Sequence, residues 1–271
     1  MEPASSDVVQ ETTVAASLRM QDVSIEFPTP NGPFLAVDTA SLEVPANGFT
    51  TIIGPSGCGK STLLRAIADI IPISNGSITV LGQSPSAARQ ARKIGFVFQD
   101  AALLPWRTAL QNVELPSEVG PGARKRAVQN GAGADPRSLL ELVGLAGRED
   151  AYPRQLSGGM RQRVSIARAL ASAPELLLMD EPFGALDEIT RDRLNGELLK
   201  VWKETNVAVV FVTHSIPEAV FLSQQVVVMD ANPGRVRAVV PIELDQPRDG
   251  GLRESAEFSR LAAQLRSMLE G

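Results

Sequence analysis

The stretch Gly54-Pro55-Ser56-Gly57-Cys58-Gly59-Lys60-Ser61-Thr62 decides the fold of this chain. It follows the apolar segment Phe49–Ile53, which is typical of a buried strand, and a helix is predicted from about Ser61 to Ile70. The stretch fits the pattern G-x-x-x-x-G-K-[ST], whose glycines let backbone N–H groups surround a phosphate. In this pattern Lys60 reaches the β- and γ-phosphates and Ser61 binds Mg²⁺. An incidental glycine-rich turn is the alternative, but the position between a strand and a helix favours a nucleotide-phosphate site.

Two carboxylates follow a second apolar segment. Asp180 and Glu181 come directly after Leu176–Met179, at the predicted carboxyl end of a buried strand. In an open α/β sheet this edge binds the ligand. We therefore expect Asp180 to hold Mg²⁺, directly or through water, and Glu181 to polarise the attacking water. A charged turn after a strand is the alternative reading, and the phosphate loop upstream argues against it.

Gln99 and His214 follow two further predicted strands, Ile94–Phe98 and Val207–Thr213. The Gln99 amide is a candidate Mg²⁺ ligand or water-orienting group. His214, the only histidine, is a candidate hydrogen-bond partner of a γ-phosphate. Either residue alone is more often structural. Their shared sheet edge with Asp180 favours a role in catalysis.

The run Leu156-Ser157-Gly158-Gly159-Met160 opens another predicted helix. Ser157 is a good helix N-cap, so the run could be only a capped turn. Two glycines beside a helix N-terminus also form an anion site. The chain's own phosphate loop lies at a different helix, so this second site requires another phosphate. A partner in a symmetric dimer would supply it.

Composition limits the remaining possibilities. The chain has 271 residues, a formal net charge of −5 and one cysteine. The acidic balance argues against general nucleic-acid binding, and a single cysteine excludes an intramolecular disulfide. Residues 1–17 are polar and are expected to be a disordered leader. Apolar runs are all well short of the ~20 residues of a membrane span, so a membrane role requires a partner.

The pattern along the chain predicts an α/β fold. Leu18–Phe27 and Phe34–Val44 resemble paired strands, and later strands alternate with helices, which favours a mainly parallel sheet. Residues 100–155 lack strand patterns, and residues of about 100–170 are interpreted as an inserted helical subdomain. A C-terminal helix is predicted at Glu254–Leu269.

Taken in order, these motifs resemble those of the ATP-binding-cassette ATPases, the motor subunits of ABC transporters. The resemblance covers about residues 18–245 and includes Ala185-Leu186-Asp187, which is similar to the family's D-loop. It implies a P-loop NTPase core with a mainly parallel sheet, an N-terminal antiparallel β subdomain and an inserted helical signature subdomain. Residues 246–271 then form a C-terminal helical tail.

The resemblance also implies the ligands and the site. ATP and Mg²⁺ are the expected cofactors, and a head-to-tail homodimer, or a pair with a second ATPase subunit, is the expected assembly. Ser157 and Gly159, with Gly158 between them, would meet the γ-phosphate across that dimer, and Asp187 would lie at its interface. The family's adenine-stacking aromatic falls near Phe27, with Phe34 as the alternative.

A finer resemblance is to importer ATPases of the nitrate, sulfonate and taurine group. It rests on Phe98–Trp106, on Tyr152-Pro153 and on Asn232–Val236. It implies transport of a small anion or small organic nutrient, a transmembrane permease, and indirectly an extracytoplasmic substrate-binding protein. The subunit would then sit peripherally on the cytoplasmic face of the membrane. The Gly-rich stretch Ser117–Pro136 departs from this group.

Two other classes of protein compete with the importer interpretation. Soluble ABC ATPases of translation usually carry two cassettes, and those of DNA repair separate their motifs by long coiled coils. This chain has one cassette and no heptads between Thr62 and Leu156. A regulatory P-loop GTPase would need a guanine-reading Asn-Lys-x-Asp, which the sequence lacks.

Overall fold

The computed structural model describes residues 16–119, 135–245, 247–248 and 250–270. Its strands are β1 (Ala16–Thr29), β2 (Gly32–Pro45), β3 (Phe49–Ile53), β4 (Asn75–Val80), β5 (Ile94–Val97), β6 (Leu176–Asp180), β7 (Ala208–Val212), β8 (Gln225–Asp230) and β9 (Arg235–Pro241). Its α-helices are α1 (Lys60–Ile67), α2 (Pro85–Gln90), α3 (Ala109–Glu118), α4 (Pro136–Leu142), α5 (Gly158–Leu170), α6 (Glu188–Thr205), α7 (Ile216–Leu222) and α8 (Ala256–Glu270). Short 3₁₀ helices lie at Pro153–Gln155 and Gly250–Glu254.

A six-stranded sheet in the order β5-β6-β7-β3-β8-β9 forms the centre of the molecule. Its strands are parallel except for β9, which runs antiparallel to β8. Successive residues of β6 enter different cores: Leu177 and Met179 pack into one cluster, Leu176 and Leu178 into the other. Burial on both faces explains why β3, β6 and β7 are continuous apolar runs rather than alternating ones. The predicted mainly parallel α/β sheet is confirmed.

A second, three-stranded antiparallel sheet in the order β2-β1-β4 forms the predicted N-terminal β subdomain. Its first strand begins two residues earlier than predicted. Ala16 and Ser17, assigned from the sequence to the leader, belong to β1, where the Ser17 carbonyl accepts a 2.9 Å hydrogen bond from the Leu81 N–H. Residues 1–15 of the predicted leader lie outside the described residues.

Between residues 100 and 170 the described chain forms helices and loops only, as the inserted helical subdomain requires. Residues 120–134, most of the Gly-rich stretch, lie outside the described residues. Within the described ranges, each helix is too short or too polar to cross a membrane.

The C-terminal helix is part of the main core. Phe258, Leu261 and Leu265 of α8 are buried in the same apolar cluster as the sheet strands. They repeat at the three- and four-residue spacing of one helical face, and α8 packs through them on α7 and β8. The predicted tail, residues 246–271, therefore adds a helix to the body of the molecule.

Candidate active site

The sheet register brings the predicted site residues to one edge. Ile52 of β3 and Asp180 of β6 both pair with Val212 of β7, and Met179 pairs with Val97 of β5. The carboxyl ends of four parallel strands therefore lie side by side. Each strand continues directly into a predicted functional segment: the phosphate loop, Glu181, the His214 loop and the Gln99 loop.

The phosphate loop requires glycine at three positions. A Cβ on Gly54 would lie 2.7 Å from Cys58 Sγ and 2.8 Å from the Met229 carbonyl oxygen. Gly57 and Gly59 have φ values of +79° and +90°, in the left-handed region that side chains disfavour. Gly59 also approaches the β subdomain, because a Cβ there would lie 2.7 Å from Val37 Cγ2. The chain thus forms a tight backbone loop immediately before α1.

Lys60 is the buried cation of this loop. Its ammonium Nζ donates hydrogen bonds of 2.9 Å to the carbonyl oxygens of both Gly54 and Pro55. Lys60 is only 6% exposed, which is rare for lysine unless its charge has partners. Cys58 Sγ lies 3.8 Å from Nζ, and burial raises the pKa of the Cys58 thiol. The loop therefore holds one positive charge at a defined point.

Ser61 and Asp180 form the candidate Mg²⁺ site. The Ser61 hydroxyl donates a 2.7 Å hydrogen bond to Asp180 Oδ1. Burial raises the pKa of Asp180, an effect that the Ser61 hydroxyl and the positive charges of Arg65 and Lys60 oppose. A hydroxyl and a carboxylate suit Mg²⁺, which is commonly held by one or two carboxylates together with substrate phosphates. In the described part of the chain, His, Cys, Asp and Glu form no group of three that could hold a metal.

Glu181 and His214 face each other at the next position along the edge. His214 Nδ1 lies 3.2 Å from Glu181 Oε2, although the two residues come from different strand ends. Glu181 has a φ of +43°, a conformation that few non-glycine residues adopt. Its N–H donates a 3.0 Å hydrogen bond to the Val212 carbonyl, which helps to hold this backbone in place. Gln99 is exposed two residues beyond the end of β5.

The Ser157 run begins helix α5, and the N-cap reading of the sequence is confirmed. The Ser157 hydroxyl accepts a 3.3 Å hydrogen bond from the Met160 N–H. Gly158 and Gly159 lie against the segment Ala185-Leu186-Asp187 (the Asp187 segment) and the start of α6. A Cβ on Gly158 would lie 3.3 Å from Leu186 Cδ2, and one on Gly159 would lie 3.3 Å from Thr190 Cγ2. Asp187 is itself the N-cap of α6, accepting a 2.9 Å hydrogen bond from the Thr190 N–H. That hydrogen bond is the main cause of the lowered pKa of Asp187.

The two candidate adenine-stacking aromatics are direct cross-strand partners. Phe27 of β1 pairs with Phe34 of β2, so both rings project from the same face of the hairpin. Phe27 is half-buried against the core, whereas Phe34 is exposed. The two candidates for adenine stacking, Phe27 and Phe34, therefore lie side by side at one place on the hairpin.

Sequence reasoning missed two residues that join the Ser157 helix to the Gln99 loop. Gln162 Nε2 donates a 3.0 Å hydrogen bond to the Phe98 carbonyl. Arg168 donates to the carbonyls of Ala101 and Ala102 at 2.7 and 2.8 Å. Gln162 is 4% exposed, and a polar residue on the buried face of an amphipathic helix was the available signal.

A phosphate loop between a strand and a helix, with a carboxylate from another strand of the same parallel sheet bonded to its serine, defines a P-loop nucleoside triphosphatase. Residues 37–184 match the family described as ABC transporter. The chain belongs to this family and is an ATP-binding, ATP-hydrolysing cassette.

Relatives similar in sequence cover nearly the whole chain. An uncharacterised ABC transporter ATP-binding protein of Methanocaldococcus jannaschii is 43% identical over 97% of this chain and 95% of its own length. The taurine import ATP-binding protein of Rhizobium johnstonii is 43% identical over 93% of this chain and 96% of its own. The nitrate import ATP-binding protein of Synechococcus elongatus is 41% identical over 92% and 89%.

A solved ATP-binding cassette has the same fold. It was determined as a dimer in a post-hydrolysis state bound to ADP and phosphate. It superposes on this chain with a TM-score of 0.68 and 31% sequence identity, covering 84% of this chain and all of that one.

Proposed function

We propose that this chain is the ATPase subunit of an importer and couples ATP hydrolysis to the passage of a small anion or small organic nutrient through a transmembrane permease. The similarity to taurine and nitrate import proteins over more than nine-tenths of the chain supports this class. The observation that carries the ATPase role is the pairing at one sheet edge of Ser61 with Asp180 and of Glu181 with His214, at 2.7 and 3.2 Å.

The permease would dock beside the Gln99 loop. Trp106 is 70% exposed and Phe98 is 41% exposed, which is unusual for large apolar side chains on one short loop. A helix of a membrane partner would cover this surface and hold the subunit at the cytoplasmic face of the membrane. An extracytoplasmic substrate-binding protein would act on the permease from the other side.

Each residue of the edge has a defined task in this proposal. The loop Gly54–Thr62 binds the phosphates through its backbone and Lys60, and the aromatic at Phe27 stacks on the adenine. Ser61, Asp180 and Gln99 hold Mg²⁺, which when bound would neutralise charge on the phosphate oxygens. Glu181 accepts a proton from the attacking water, and His214 orients Glu181 and donates to the γ-phosphate.

The Ser157 run would complete the site of a second subunit. In a head-to-tail dimer, or a pair with a second ATPase subunit, Ser157, Gly158 and Gly159 meet the partner's γ-phosphate and Asp187 crosses the interface. ATP then bridges the subunits, and hydrolysis removes the bridge. The solved relative in a dimeric state with ADP and phosphate supports this assembly.

Replacement of Ser157 by Arg tests the two-subunit site. Ser157→Arg should leave ATP binding to the monomer within about twofold, because the phosphate loop is a different element, while turnover falls about 100-fold or more. ATP-driven dimerisation, followed by light scattering, should also disappear.

The matched control is Ser84→Arg. Ser84 is an exposed N-cap of α2, and its hydroxyl accepts from the Ala87 N–H at 3.3 Å, as Ser157 does from Met160. The Ser84→Arg variant should lose an N-cap hydrogen bond of the same kind and keep the turnover of the parent protein. Loss of ATP binding with dimerisation intact in Ser157→Arg would contradict the two-subunit site.

Purification from membranes distinguishes the proposed importer function from that of a soluble ABC ATPase. Affinity capture of the tagged chain from detergent-solubilised membranes should recover a transmembrane permease in stoichiometric amount, and Trp106→Ser should reduce that recovery. Capture that yields only the chain itself would favour the soluble alternative.

A further inference from the structure

Three hydrogen bonds join Thr213, Ser215 and Glu218 into a closed ring. The ring includes the residues on both sides of His214 but not the His214 side chain. The Ser215 hydroxyl caps α7 by accepting from the Glu218 N–H at 3.4 Å. The Thr213 hydroxyl oxygen accepts from the Ser215 N–H at 3.0 Å and donates its proton to Glu218 Oε2. The ring therefore holds the backbone on both sides of His214. The geometry is that of a capping box in which a hydroxyl is inserted between the glutamate and the cap.

The Glu218 carboxyl also reaches toward helix α6. Glu218 is 3% exposed, and its Oε1 is buried with no hydrogen-bond partner among the residues that the structure describes. Asn195 of α6 is fully buried, and within the described part of the chain both polar atoms of its amide are likewise without a partner. Burial is the largest influence on Glu218 and raises its pKa, whereas the Thr213 hydroxyl, the charge of Arg191 and the Asn195 amide oppose that rise. Helices α6 and α7 pack on each other, and the Asn195 amide influences the Glu218 carboxyl across this contact without a hydrogen bond between them.

Helix α6 connects this carboxyl to the Asp187 segment. Arg191, one turn into α6, donates a 2.8 Å hydrogen bond to the Leu186 carbonyl, directly before Asp187. Gly159 of the Ser157 run packs on Thr190 and Leu194 of the same helix. A change in the position of α6 relative to α7 would therefore alter the contacts of both Leu186 and Glu218.

We propose that Glu218 is a positioning residue for ATP hydrolysis: it holds the loop of His214 through Thr213 and joins that loop to α6 and the Asp187 segment through Asn195. Buried polar atoms without partners are unfavourable, so an arrangement in which Asn195 Nδ2 donates to Oε1 is favoured over the present one. A small shift of α6 against α7 would reach it. Closure of the two-subunit site would then fix the positions of Asp187, His214 and Glu181 at the same time. The inference rests on the proposed roles of His214 and Asp187.

Three variants test the ring. Glu218→Gln keeps the size of the side chain but removes its charge, and Thr213→Val removes the bridging hydroxyl at nearly constant volume. Both should lower kcat by about 10- to 100-fold through misplacement of His214, with KM for ATP within about twofold. Thr213→Ser keeps the hydroxyl and should recover kcat to within about twofold of the parent. Glu243→Gln, an exposed glutamate, is the control and should behave as the parent.

A double-mutant cycle separates this inference from the proposed function. If Glu218 acts through His214, Glu218→Gln should have little further effect on kcat in a His214→Ala background. His214→Ala with parent turnover would refute the catalytic role of His214 and this inference with it. His214→Ala with lost turnover beside a fully active Glu218→Gln would refute the inference alone.

A purely structural role for Glu218 predicts a different result. Glu218→Gln would then lower the thermal midpoint and ATP affinity together, and Thr213→Ser would fail to recover kcat. That outcome would also overturn the inference. Glu181→Gln, measured alongside, gives the level of turnover expected when the catalytic carboxylate itself is removed.

Discussion

At the scale of single residues, glycines outside the phosphate loop help to shape it. A Cβ on Gly234, in the turn between β8 and β9, would overlap the carbonyl oxygen of Cys58 and lie 3.0 Å from that of Ala36. The Gly234 N–H donates to Ala36 and its carbonyl accepts from Asp38, at 3.1 and 2.8 Å. The turn is therefore pressed between the phosphate loop and β2, where only glycine fits.

Gly234→Ala should weaken both stability and ATP binding. Backbone oxygens cannot move away as a flexible side chain can, so we expect a loss of about 1–3 kcal/mol in the free energy of unfolding. ATP affinity should fall as well, because the displaced atom belongs to Cys58 in the loop. Urea unfolding and isothermal titration with ATP measure the two effects.

Gly196→Ala is the control for this substitution. Gly196 lies within α6, and a Cβ there has nothing within 4 Å. Alanine should stabilise the helix by about 0.5–1 kcal/mol and leave ATP affinity unchanged. A Gly234→Ala variant as stable as the parent would show that the turn can move off the loop.

The residues that could be predicted from the sequence are those whose chemistry depends on local spacing. The phosphate loop, Asp180-Glu181 and the Ser157 run were read from contiguous patterns placed at strand or helix ends. Gly234 could not be found this way, because its partners Cys58 and Ala36 lie far away in sequence and are brought close only by the fold. Spacing along one segment carries no information about such contacts.

At the scale of elements, helix α5 holds the backbone of the Gln99 loop, residues 98–104. Gln162 and Arg168 together donate three hydrogen bonds to the carbonyls of Phe98, Ala101 and Ala102, all between 2.7 and 3.0 Å. Desolvation by burial lowers the pKa of the Arg168 guanidinium. The loop backbone thus depends on the helix that begins at Ser157, and any movement of that helix would move Gln99.

Removal of these donors should loosen the Gln99 loop alone. In a Gln162→Met, Arg168→Met double variant, the amides of residues 98–104 should exchange hydrogen about tenfold faster or more, since local opening no longer breaks these bonds. Residues 54–62 should keep the parent rate. Hydrogen exchange read by mass spectrometry resolves the two segments.

Arg161→Ala is the matched control on the same helix. Arg161 donates to the Leu156 carbonyl at 2.7 Å, before the helix and away from the Gln99 loop. Its exchange pattern over residues 98–104 should match that of the parent. Equal exchange in the double variant would show that the loop is held by other contacts.

Element type was predictable, and element ends were less so. Strands buried on both faces, such as β6 and β7, are apolar throughout and were recognised within one residue of each end. The start of β1 was placed two residues late, because Ala16 and Ser17 are small, weakly patterned residues that pair only through the backbone. Helix α8 begins at Ala256, two residues after the predicted Glu254, since Gly250–Glu254 forms a 3₁₀ helix before it.

At the scale of the whole molecule, two apolar clusters lie on opposite faces of the parallel sheet. One joins the sheet to α1 and the N-terminal β subdomain, and the other joins it to the helical subdomain and to α8. The C-terminal helix therefore shares a core with the helix of the Ser157 run. Arg248 strengthens this attachment, since its buried guanidinium donates to the carbonyls of Phe221 and Ser223 at 2.9 and 2.7 Å.

Leu265→Ala should consequently destabilise the whole molecule rather than a separate tail. Leu265 is fully buried in the larger cluster, and truncation of such a leucine costs about 2–5 kcal/mol. Helix α8 would transmit this loss to α7 and β8, on which it packs. We therefore expect the urea midpoints followed by far-UV circular dichroism and by tryptophan fluorescence to fall together, because Trp202 lies against Phe49 in the sheet.

Gln264→Ala, one residue away on the exposed face, should leave both midpoints in place. If the fluorescence midpoint stayed at the parent value while only the dichroism changed, α8 would unfold independently of the cassette.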